Sequence, residues 1–180
     1  QVALNKLFKH TALQSTFGYN AVALADGVPR VMSLLEIVRH YLAFQREVVI
    51  RRSKYELRQN EKRAHVLKGY LIALDNLDAV IRLIRGSDDT DAARVGLMSD
   101  FGLSEIQAQA ILDLRLARLT GLARKEIEAE YADIQERIAE LRALLGDRAL
   151  IDAVIREELL EVKQAYGRTD ERRTEIVMGE

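Results

Sequence analysis

Few residues in this 180-residue chain have the types and spacing that chemistry requires. Asp89-Thr90-Asp91 has the D-x-D spacing of some magnesium sites, where neighbouring carboxylates share a hard cation. It lies, however, in a Gly/Ser/Asp stretch between helical patterns, where Asp and Thr cap a helix and complement its dipole. No third carboxylate stands beside the pair, so capping is the stronger reading and no metal site is expected. His10, His40 and His65 are far apart and make no H-x-x-x-H pair, which argues for surface or packing roles rather than a shared metal or base. None of the 10 glycines builds a phosphate-cradling loop. The chain has no Cys, which excludes disulfides, thiol catalysis and Cys-ligated zinc and fits a reducing compartment. No catalytic residue is expected here.

Composition bounds the rest. With 48% hydrophobic residues the chain can bury a core, and 27 basic against 28 acidic residues give a formal net charge of -1. Any contact with nucleic acid must therefore come from a local patch. No apolar run approaches the roughly 20 residues that span a bilayer, so no membrane role is expected and the chain reads as cytoplasmic. It opens on Gln1 inside a helical pattern, as a piece of a longer protein would.

A single Pro in the whole chain points to long helices. Ala21 to Leu24 and Arg30 to Met32 flank Asp26-Gly27, the strongest hairpin signal. Ser33 with Glu36 makes a capping box, and from there to Arg85 only Gly69 interrupts, predicting one rod of roughly 78 Å. Its far half carries a heptad seam at Leu67, Tyr70, Leu74, Leu77, Ile81 and Ile84. A second seam follows at Ile127, Ile134 and Leu141 with Tyr131, Ile138 and Leu145. Gly146 should end that helix as a C′ residue, and Asp147 should open another with a seam at Ile155, Leu159, Val162 and Tyr166. The economical topology is mainly α: a long antiparallel coiled-coil hairpin with a small helical tip and a short β element at its base.

In the tip, Ser104 and Gln107 form another capping box, and residues 105 to 119 place apolar side chains on nearly every side of one helix. Such a helix must be buried all round. A second copy of the chain is the expected cover, with Ile111 and Leu114 at the centre of the contact. Extending the first seam backward through Ile50, Ser53, Leu57, Asn60 and Ala64 puts Asn60 at a register-setting core position; an Asn turned to solvent is an equal reading. Gly69 permits either bending or close approach of the return helix, and close approach is favoured. Arg51, Lys54, Arg58 and Lys62 share one face about 130° from the seam. That stripe either binds duplex DNA weakly through phosphates, or pairs with Glu157, Glu158 and Glu161 or faces solvent.

Several stretches together resemble the bacterial DNA gyrase A subunit, of the type IIA topoisomerases. They are Asn5 to Leu7, Leu13-Gln14, Phe17 to Asn20, Arg51-Arg52, Leu57-Arg58, Arg63 to Leu67, Ile106 to Leu116, Leu119 to Leu122 and Arg172 to Ile176. The resemblance runs in order along the chain, and I-Q-A-Q-A-I-L-D-L-R-L is its most specific part, shared with the A subunit of topoisomerase IV. It implies the coiled-coil arm and exit gate of an ATP-dependent enzyme that cuts one duplex, passes another through the break and reseals it. By that resemblance residues 1–32 are the base, 33–85 the ascending helix, 86–121 the dimerising gate, 122–166 the return and 167–180 a tail rejoining the base. ATP and magnesium would bind the B subunit, which would meet this chain through domains outside it. The family's cleavage tyrosine follows an Arg, whereas Tyr19, Tyr41, Tyr55, Tyr70, Tyr131 and Tyr166 here follow Gly, His, Lys, Gly, Glu and Ala. The chain alone is therefore expected to be inactive. Heptads by themselves leave a plain coiled-coil scaffold open; a free-standing enzyme is the least supported class.

Overall fold

A computed structural model describes residues 2–114 and 121–167, and side chains at 121–123 are not among those described. Two compact units divide the chain, residues 1–45 and 46–180.

The first unit contains α1 (Val2–His10) and a hairpin of β1 (Val22–Ala25) and β2 (Val28–Val31), paired antiparallel with Val22 opposite Val31 and Ala25 opposite Val28. The turn is Asp26-Gly27, both at positive φ, the conformation that a two-residue connection needs and that Asp and Gly tolerate best. After it, the Ser33 amide and hydroxyl both donate to Glu36 Oε2, at 2.7 and 2.8 Å, and start helix α2 (Leu34–Asp75). The same carboxylate is held below the usual range by those bonds. Much of this unit's apolar surface is open: Phe17, Tyr19, Leu24 and Leu34 are all largely exposed.

In the second unit α2 continues and two further helices return beside it, α6 (Gly121–Gly146) and α7 (Arg148–Tyr166). Ion pairs give the direction. Asp75 meets Arg124, Arg63 meets Glu130, Glu56 meets Arg137 and Arg46 meets Asp152, so position falls along α2 as it rises along the return. The helices are antiparallel. Between them Leu67, Leu74 and Ile127 are buried with Tyr70, Leu71, Tyr131 and Ile134 packed around them. Of the second heptad seam, Ile127, Ile138 and Leu141 are buried and Tyr131, Ile134 and Leu145 half-buried.

Four local expectations change. The first rod stops at Asp75, because Asn76 leaves the helical region (φ -120°, ψ 31°) and α3 (Leu77–Gly86) begins after it. Asn76 Nδ2 donates to the Ile72 carbonyl at 2.9 Å, the local side-chain bond by which Asn competes with a continuing helix. The heptad therefore splits: Leu67 and Leu74 stay in the arm, while Ile84 packs into a separate head core. Gly146 is the last residue of α6 rather than a left-handed cap, and the break comes from Asp147, whose carboxylate accepts from the Ala149 amide at 2.8 Å. On α7 the buried residues are Ile151 and Ile155, whereas Leu159, Val162 and Tyr166 are exposed.

The head is α3, α4 (Thr90–Phe101) and α5 (Glu105–Leu112), with α4 packed on both neighbours. Ala73, Val80, Leu97, Leu103, Ala108 and Ile111 form its core. The expected tip helix of 105–119 thus ends at Leu112, with Asp113 as its C-cap, and residues 115–119 of that expectation lie outside the described residues. Burial along α5 is also one-sided. Ala108 and Ile111 are covered by the chain's own α3 and α4, and Ile106 stands 65% exposed.

The seam and the exposed end of α7 should respond differently to truncation. Leu141→Ala, at a side chain 1% exposed, should cost about 2–5 kcal/mol. Leu159→Ala, at 38% exposure, should cost under about 1 kcal/mol. Guanidinium unfolding followed by circular dichroism measures both, and equal losses would contradict the packing described.

Candidate functional site

The head owes its position on the arm to one small residue. Gly69 of α2 is buried, and a Cβ there would lie 2.8 Å from both Cβ and Cγ of Gln107. Close approach at Gly69 is thus made by α5 of the head and not, as expected from the heptads, by the return helix. The approach is specific as well as tight. Gln107 is 5% exposed, its Nε2 donates to the His65 carbonyl at 2.7 Å and its Oε1 accepts from the Ser104 amide at 2.9 Å. The Ser104 hydroxyl accepts from the Gln107 amide at 3.3 Å, completing the capping box, and lies 2.6 Å from His65 Nε2. One amide side chain therefore starts α5 and fastens it to α2, with both ends satisfied as a buried polar group requires.

Beside the junction is a cavity of about 250 Å³, lined mainly by Leu77, Ile81, Ile84, Ile111, Leu112 and Leu114. Three of those residues are the orphaned part of the first heptad, turned to this new use by the break at Asn76. Ile111 is 6% exposed within its own chain, and Leu114 is half-buried at the end of α5.

The remaining singled-out residues fall elsewhere. Asp89 caps α4, accepting from the Ala92 amide at 2.7 Å, and Asp91 pairs with Arg94. Asn60 is half-buried, and its Nδ2 donates to the Glu56 carbonyl of its own helix at 2.9 Å. Arg51, Lys54, Arg58 and Lys62 are all exposed. Arg51 has only Glu47, 3.8 Å away on the same helix, and Lys54, Arg58 and Lys62 have no ion pair among the described residues. Glu158 is taken instead by Arg52 at 2.6 Å. Arginines between α2 and the return helices are matched: on α6, Arg137, held firmly protonated by Glu56 and then Glu140, and Arg124, between Asp75 and Glu128, each make two bridges. Asp152 is held below the usual carboxylate range by its hydrogen bond from Arg46, so what that bridge contributes is present at neutral pH and is lost as acid protonates the carboxylate.

Sequence reasoning found both capping boxes and the glycine, and missed the partner of that glycine. Nothing local marks Gln107 as a tether to a helix about 40 residues away. The break at Asn76 did have a signal, an Asn followed two residues on by Asp78, as at a helix start.

Gly69→Ala should therefore destabilise the chain by about 1–3 kcal/mol through overpacking, against the roughly 1 kcal/mol that Ala gains in helix propensity. Chemical unfolding reads the sign: a raised midpoint for Gly69→Ala would contradict the contact.

Known proteins resemble the chain along nearly its whole length. The sequence model of the family described as the A subunit of DNA gyrase/topoisomerase IV matches residues 1–160. The DNA gyrase A subunit of Halalkalibacterium halodurans is 56% identical over 179 residues, covering 99% of this chain and 21% of the relative. The proteins of the same name from Clostridium acetobutylicum and Streptococcus pneumoniae are 52% and 47% identical over 179 residues each, covering 99% of this chain and 21% and 22% of the relatives. The chain thus spans about a fifth of the length of the curated relatives it matches.

Proposed function

The chain belongs to the family of DNA gyrase and topoisomerase IV A subunits, and from that premise we propose that it is the coiled-coil arm and exit gate of a type IIA topoisomerase. In this reading the head dimerises with a second copy, the two arms enclose a space for a passed duplex, and parting of the heads releases it. Residues 1–32 and 167–180 are the base, and the gate is the head of α3, α4 and α5 with the residues that follow it to 121. Cutting, ATP and magnesium belong to other domains and to the B subunit, in the cytoplasm. The three curated relatives all carry the gyrase name, which favours gyrase over topoisomerase IV.

The observation that carries the proposal is the apolar cavity of the head, with Leu114 in its lining beside aliphatic side chains that a polar tip would not need. The exposed Phe17, Tyr19 and Leu24 of the base fit a surface covered by the rest of a larger protein. Arg51, Lys54, Arg58 and Lys62, exposed on α2, fit a surface that touches phosphates weakly without reading sequence. Weak contact suits a duplex that must leave.

Sedimentation equilibrium on the 180-residue chain should give a dimer at tens of micromolar, and Leu114→Arg should give helical monomers, weakening association by about 100-fold or more. A dimer that survives Leu114→Arg would move the interface away from the head. Duplex binding by fluorescence anisotropy should fall steeply with salt, and fall further when Arg51, Arg58 and Lys62 become Ala. Unchanged binding in the triple variant would leave the stripe a solvated face and the enclosure passive.

A further inference from the structure

A groove of about 540 Å³ lies between α2 and the start of α5, lined by Arg58, Glu61, Lys62, His65, Val66 and Ile106. Its charge is not balanced from within. Glu61 is committed to Arg142 at 2.8 Å, and His65 Nε2 is committed to the Ser104 hydroxyl at 2.6 Å. Arg58 and Lys62 are left exposed without an ion pair among the described residues, on a helix whose Arg46, Arg52 and Arg63 are each matched by a carboxylate of the return helices. The groove's apolar end is also uncovered: Ile106 is 65% exposed, the one large aliphatic of α5 that its own chain does not bury. One turn below Arg58 the same face carries Tyr55, 60% exposed. Spacings of three, four and four place Tyr55, Arg58, Lys62 and Val66 within a sector of about 80°, over a length of roughly 17 Å or three helical turns.

We propose that this groove docks an acidic amphipathic helix of a partner protein. Its apolar side chains would seat on Ile106, Val66 and Tyr55, and its carboxylates would meet Arg58 and Lys62. Charge complementarity selects the sign of the partner, and the apolar floor selects its class. A duplex offers phosphates to the two cations but nothing to an exposed isoleucine, whereas a helix read through anchors at i, i+3 or i+4, and i+7 uses both. Docking depends only on this local geometry and not on the gate reading. It would have one consequence for the gate: Arg58 and Lys62 also belong to the stripe proposed to touch duplex, so peptide and duplex would compete.

The test uses the 180-residue chain and a fluorescein-labelled helical peptide of about 14 residues, with Leu at i, i+3 and i+7 and Glu on the flanks. A scrambled peptide of the same composition and a short duplex complete the probes, read by anisotropy. The ordered peptide should bind at least about tenfold more tightly than the scrambled one, and lose about tenfold or more in Ile106→Ser and in Arg58→Glu/Lys62→Glu. Duplex binding should fall only in the charge variant. Circular dichroism should show both variants folded, since all three side chains are exposed. Equal binding of ordered and scrambled peptides, or peptide binding indifferent to Ile106→Ser, would overturn the proposal and leave a phosphate-binding surface or a solvated face.

Discussion

The head of this molecule depends on the absence of a single Cβ. At Gly69 the buried side of α2 is bare backbone, and Gln107 lies where any larger residue would place its first carbon. Three consequences follow from that contact. α5 can lie against the arm closely enough for Gln107 to reach the His65 carbonyl, the capping box is fixed at the same spot, and α3 and α4 have a surface to close over. Gly in a helix interior costs roughly 1 kcal/mol relative to Ala, and the contact it permits is the physical return on that cost. A head fastened in this way transmits displacement to its arm, because a packed junction deforms little before it breaks.

Below the head, the arm is held by a thin apolar seam and flanked by arginine–carboxylate bridges. Each bridge is at least partly solvent-exposed and worth on the order of 1 kcal/mol or less. Their placement matters more than their strength. Bridges from Arg46 to Asp152 at one end and from Asp75 to Arg124 at the other fix which residue of the outgoing helix faces which residue of the return. Lys54, Arg58 and Lys62, unmatched among the described residues, lie elsewhere on the same helix, so α2 has one electrostatically closed face and one open to partners.

Regular features of this fold were legible in the residues. Heptads at Ile127, Ile138 and Leu141 foretold a buried seam, Ser33 and Ser104 marked helix starts, and Asp26-Gly27 marked the hairpin. Each of these depends on neighbours within a few positions. What periodicity could not reveal was the change of partner at Asn76, beyond which Leu77, Ile81 and Ile84 keep the heptad spacing but line a head cavity instead of the seam. A period says that one face is apolar and not what covers it. The same limit explains α5: its apolar residues implied burial from outside, whereas α3 and α4 supply much of it. It also explains Gly69, because a contact between residues 69 and 107 leaves no trace at either position alone.

The central claim is that two copies meet at their heads and stand apart along their arms, which separates a gate from a simple coiled-coil scaffold. The chain has no Cys, so a single introduced thiol gives a clean spin label at a chosen exposed position. Double electron–electron resonance on dimers labelled at Asp100 in the head, and separately at Lys54 on the arm, measures the two separations directly. A gate gives a short, narrow distance at the head and a distance at Lys54 wider than a DNA duplex. Short, narrow distances at both positions would mean arms zipped together along their length, and would contradict the account.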